Sequence, residues 1–155
     1  MSVGRFSFRL CRALVWLALA AALSASALPG TEPTVEELKA RLSSTSVGDR
    51  PHLCVQIAEQ QLTAADKLYA GAEVEKAQTA LTDVVAYSEL ARDYAIQSHK
   101  REKQTEIAVR GMMRKLTEIV HSLAQADQPP VRDAINRLQH VRDDLLAAMF
   151  PKGAK

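Results

Sequence analysis

Few residues in this chain have a type and spacing that could do chemistry. Glu118 and His121 stand three apart, the Glu-x-x-His spacing that can aim a carboxylate and an imidazole at an iron ion inside a helical bundle. A complete site of that kind needs a second such pair and two more glutamates on facing helices. None of His52, His99 and His140 has a glutamate three residues before it. Glu118, His121 and His140, with Met112 and Met113 as softer donors, therefore form only a partial metal set, and a solvent-facing His121 is the plainer expectation. Cys54 has His52 two residues before it, but residues two apart on a helix do not face each other, so no thiolate–imidazole pair forms. Its place in an apolar stripe makes it a small core residue, with an intermolecular disulfide as the alternative. Tyr87 and Tyr94, one heptad apart, and His99 beyond them could form an aromatic interaction surface, although tyrosines so placed more often pack in a core with a wet hydroxyl. The chain shows no glycine-rich phosphate loop, no serine–histidine–aspartate order and no haem attachment sequence. The expectation is a protein that is not an enzyme and needs no cofactor.

The first residues read as an address. Arg5, Arg9 and Arg12 precede the aliphatic run from Ala13 to Ala22, and Ala25-Ser26-Ala27 puts small residues at both positions a signal peptidase reads. Residues 1–27 are thus expected to be a cleaved leader, with an uncleaved anchor as the alternative. The apolar run falls short of the roughly 20 residues that span a bilayer. Three of the 20 lysines and arginines lie in this leader, so the remainder carries 17 basic residues against 18 acidic ones, a net charge of −1. The basic character of the whole chain thus belongs to the leader and argues against nucleic-acid binding. Export to the periplasm or the medium follows, with no membrane attachment after cleavage. Only Cys54 then remains, so no intramolecular disulfide can form.

The elements that would position these residues are all helical. Thr34 and Glu37 have the spacing of a capping box that opens a short helix. The run Ser43 to Asp49 is a linker. Asp49 or Arg50 then caps a second helix with Pro51 in its first turn. Cys54, Ile57, Ala58, Gln61, Leu62, Ala65 and Leu68 recur on one face of it, and Gly71 stops it near Tyr69. The stretch Glu73 to Ala126 contains no proline and only one glycine, Gly111. Its polar centre, Gln97 to Glu106, lacks Gly, Pro, Asn and Asp, and its Lys, Arg, Glu and Gln are good helix formers. The spacing therefore predicts one continuous helix ~80 Å long, with a break near 97–106 and a compact four-helix bundle as the alternative. The charge run His99 to Lys103 could meet an anionic surface, but Glu102 and Glu106 interrupt it, and a solvated helix face is the simpler reading. Asp127-Gln128-Pro129-Pro130 should break the chain, and a last helix should run from Val131 to Pro151.

Residues 63–87 resemble a single tetratricopeptide unit, with Ala65, Leu68, Ala72, Ala77, Leu81 and Val84 near its small and large positions. No second copy follows at the 34-residue period, so an ordinary antiparallel hairpin is expected there. As a whole the chain is similar to the small uncharacterised all-helical proteins that soil bacteria export. That resemblance implies a compartment and no activity. The fold class is all-α, with antiparallel hairpins sharing the long helix. Its organisation is leader 1–27, short helix and serine-rich linker 28–50, helical domain 51–150 and tail 151–155. The expected role is that of an interaction scaffold or adaptor for another protein or a second copy of itself, and a metal- or small-ligand-binding bundle is the alternative.

Overall fold

The capping box at Thr34 forms as its spacing requires. The Thr34 hydroxyl accepts from the Glu37 amide, and the Glu37 carboxylate accepts from the Thr34 amide. In the computed structural model, which describes residues 32–151, this cap opens the first of five α-helices. They are α1 (Val35–Leu42), α2 (Arg50–Ala70), α3 (Val74–Ser98), α4 (Glu102–Ser122) and α5 (Gln128–Met149), with a 3-10 turn at Gln125–Asp127. The described residues are all-α. The expected leader, residues 1–27, lies outside them.

The continuous helix expected over Glu73–Ala126 does not form. It is broken at His99–Arg101 into α3 and α4, which gives the compact bundle. No glycine or proline makes the break. His99 takes a left-handed conformation (φ 52°), its amide donates to the Ile96 carbonyl and that of Lys100 donates to Ala95. These two bonds are a Schellman closure, built here on a residue that strains to make it. Arg101 is also left-handed (φ 63°) and begins α4. The same closure ends α2, and there Ala72 (φ 59°), not Gly71 (φ −85°), occupies the left-handed position. The double proline also differs from expectation. Pro129 and Pro130 lie inside the first turn of α5, where missing amides cost nothing, and α4 has already ended at Ser122. The Gln128 side chain donates to the Leu123 carbonyl and holds that connection closed.

Helices α2 and α3 make the most intimate pair in the fold. Their buried faces carry small side chains: Cys54, Ala58 and Ala65 on α2, and Ala77, Ala80, Ser88, Ala91 and Ala95 on α3. Small residues let two helix axes approach closely. Ser88 satisfies its own buried hydroxyl by donating to the Val84 carbonyl. The second hairpin, α4 with α5, uses larger side chains, among them Val109, Leu116 and Ile119 opposite Val131, Leu138 and Val141. The two hairpins then stack on each other, α3 against α5 and α2 against α4.

One apolar core runs through both hairpins. A second cluster, Leu38 with Leu53 and Ile57, fixes α1 to the outside of the first hairpin, and Tyr87 touches both clusters. Ion pairs cross the hairpin–hairpin seam at Arg92–Asp144, Arg137–Glu89 and Lys115–Asp66. The order of the two α3–α5 pairs along the chain makes those two helices parallel.

Candidate interaction surface

Helix α4 turns its two faces to different tasks. Val109, Met112, Leu116 and Ile119 point into the core. Lys103, Ile107, Arg110, Arg114, Thr117 and His121 follow each other at alternating steps of four and three, which places them in one row along the helix. All six are exposed, and Ile107 keeps 47% of its surface in solvent. The row holds no carboxylate. Arg110 reaches Glu106 at 3.5 Å, whereas Lys103 and Arg114 form no ion pair among the described residues. The result is a cationic strip with one large apolar side chain in it.

The carboxylates that interrupt this run in sequence leave it in space. Glu106 turns inward and is buried, bound to the Arg142 guanidinium at 2.9 Å. Thr105 beside it is buried as well. Glu102 is largely covered, and its Oε1 has no hydrogen-bond partner, with His99 Nδ1 at 3.7 Å. The row was legible only in part: a helical projection from Lys103 puts Glu102 well away from it but leaves Glu106 and Glu118 at its two edges, and it is burial against Arg142 that withdraws Glu106 while Glu118 stays exposed beside the row. Scanning only for apolar stripes misses it.

Two shallow grooves flank α4. One, of about 320 Å3, separates it from α2 and is lined by Glu59, Leu62, Thr63, Asp66, Gly111, Met112 and Lys115. Gly111 leaves open space there, since a Cβ would meet nothing within 4 Å. Desolvation raises the pKa of the Glu59 carboxyl against the opposing pull of His52. The other groove, of about 300 Å3, lies between α4 and α5 and is lined by Thr117, Val120, His121, Arg132, Ile135 and Asn136.

Glu118 and His121 are divided between these surroundings. Glu118 is exposed and pairs with Lys115 at 3.7 Å, while His121 faces the α5 groove beside Arg132. His140 is exposed on α5, Met112 is buried and Met113 packs against the core. Among the described residues no three His, Cys, Asp or Glu side chains converge where they could hold a metal ion.

Cys54 is fully buried, and burial pushes its thiol up to about 11. In this fold its sulfur has no exposed surface to offer a second chain. Tyr87 and Tyr94 are partly covered, each under a cation: Lys39 sits 5.5 Å from the Tyr87 ring centre, and Arg50 sits 5.2 Å from that of Tyr94. These two tyrosines serve to attach α1 and the start of α2 to α3. His99 is exposed at the α3–α4 turn.

No family model matches this chain, and no curated protein or solved structure does either. No helix among the described residues is long and apolar enough to cross a membrane.

Proposed function

We propose that this chain is an exported, non-enzymatic helical adaptor that holds an acidic partner protein on the outer face of α4. The row Lys103, Ile107, Arg110, Arg114, Thr117 and His121 carries this reading. Unpaired cations steer an acidic surface into place, and one exposed apolar side chain among them, Ile107, gives the contact something to desolvate. The flanking grooves accept side chains from a partner that lies along the helix. Export rests on the leader-like residues 1–27 and the near-neutral remainder.

The test is site-specific photo-crosslinking in the envelope fraction, with the probe at Ile107 or Arg114 and, as a control, at exposed Thr82 on α3. The expected result is one partner band from the α4 positions that fades with added salt and, with the probe at Ile107, disappears with Lys103→Glu plus Arg114→Glu. An absence of α4 crosslinks, or equal labelling from Thr82, would refute the proposal.

A further inference from the structure

The turn at His99–Arg101 does not suit its own sequence. Most of residues 97–106 are good helix formers, yet the chain reverses there through two left-handed non-glycine residues. Each such residue disfavours the closed turn roughly tenfold. Two contacts with the α1–α2 connection help to hold the turn. Arg101 donates to the Asp49 carboxylate at 3.0 Å, and the Lys100 side chain lies over Gly48. Asp49 also accepts from Ser46, and these partners lower its pKa.

If the turn straightens, α3 and α4 become one rod of roughly 70 Å, at 1.5 Å per residue. The two hairpins then lie toward opposite ends and cannot reach each other. Each would expose half of the shared core: Leu81 and Val84 on one side, Leu116 and Val141 on the other. The surface that fits the first hairpin is the chain's own second hairpin, down to the pairs Arg92–Asp144 and Glu89–Arg137.

We infer that this chain forms a domain-swapped dimer, in which α3–α4 is continuous and the α4–α5 hairpin of each copy packs on the α2–α3 hairpin of the other. The swapped and closed forms share nearly every contact. They differ in the released turn, the lost Asp49–Arg101 bond and the entropy of joining two chains. A short strained hinge favours exchange of this kind. The inference does not depend on the α4 row, which stays on the surface in both forms.

The full chain, in a Cys11→Ala and Cys54→Ala background carrying Glu89→Cys and Arg137→Cys, is unfolded and refolded over a range of concentrations, separated by size and treated with a short bismaleimide. The expected product at high concentration is a dimer whose crosslinks join two chains on a denaturing gel, beside a monomer crosslinked within itself. His99→Gly with Arg101→Gly should raise the dimer dissociation constant by ~100-fold or more, because glycine relieves the closed turn and weakens the continuous helix. Asp49→Ala should lower it. A monomer at every concentration, even with Asp49→Ala, overturns the inference. So does a dimer whose crosslinks stay within each chain, which would be a face-to-face contact between closed copies.

Discussion

Glu106 is the one carboxylate among the described residues that lies in the core, and it comes from the most polar stretch of the chain. Its side chain is 8% exposed against 31% for Arg142, so the pair sits at the inner edge of the α4–α5 seam. Breaking a fully buried pair costs about 3–5 kcal/mol. With the guanidinium still partly wet, Glu106→Ala should cost about 2 kcal/mol, and Glu106→Gln, which keeps an acceptor, should cost less. Urea unfolding of both variants checks the order. Cys54 supplies a pH dependence. Its ordinary value is 9.0 and burial raises it to about 11, so the folded state keeps the proton while the unfolded state releases it. Stability from this thiol is therefore complete below pH 9, declines as pH rises between the two values and is lost above about 11. Thermal unfolding of the chain and of Cys54→Ala across that range should show a shallower decline in the variant.

At the scale of the helices, the small-residue faces of α2 and α3 set how closely the first hairpin packs. Ala91 is fully buried on that face, so Ala91→Leu must push α2 away or distort a rotamer, at a cost of about 2 kcal/mol. Differential scanning calorimetry would show the loss, and Ala86→Leu on the exposed side of α3 should leave the melting point nearly unchanged. The same contrast explains which elements could be read from sequence. The Thr34–Glu37 box, the apolar stripes and the α2–α3 reversal are local signals, and each appears where its residues place it. The α3–α4 break is not local. Nothing in Gln97–Glu106 asks for a turn, and the reversal is imposed by the core that the two hairpins share. Pro129-Pro130 misleads for a different reason, because a proline pair suits a helix start as well as a helix end. Of the candidate sites, the buried state of Cys54 follows from its stripe. The partial metal set was a matter of spacing alone, and the fold gives Glu118 and His121 different neighbours.

Across the whole molecule, the hairpin–hairpin seam combines apolar burial with ion pairs that are mostly exposed, each worth under about 1 kcal/mol. The apolar core therefore holds the hairpins together, and the pairs select their register. Amide exchange should register that division: rapid at Arg101 to Lys103, where the turn interrupts both helices, and slow on either side at Ala91 and Val109. Equal protection through the turn in a monomer would contradict the break. The chain has three tyrosines, and each stands at a different joint. Tyr69 lies near Asp127, where α2 ends beside the start of α5, with its hydroxyl buried and its pKa raised by desolvation and by that carboxylate. Tyr87 lies beneath α1, and Tyr94 lies under Arg50 at the start of α2. With any two of them changed to phenylalanine, the ultraviolet absorbance of the third becomes a label-free gauge of one joint, and the three single-tyrosine chains together would time the order in which the molecule comes apart.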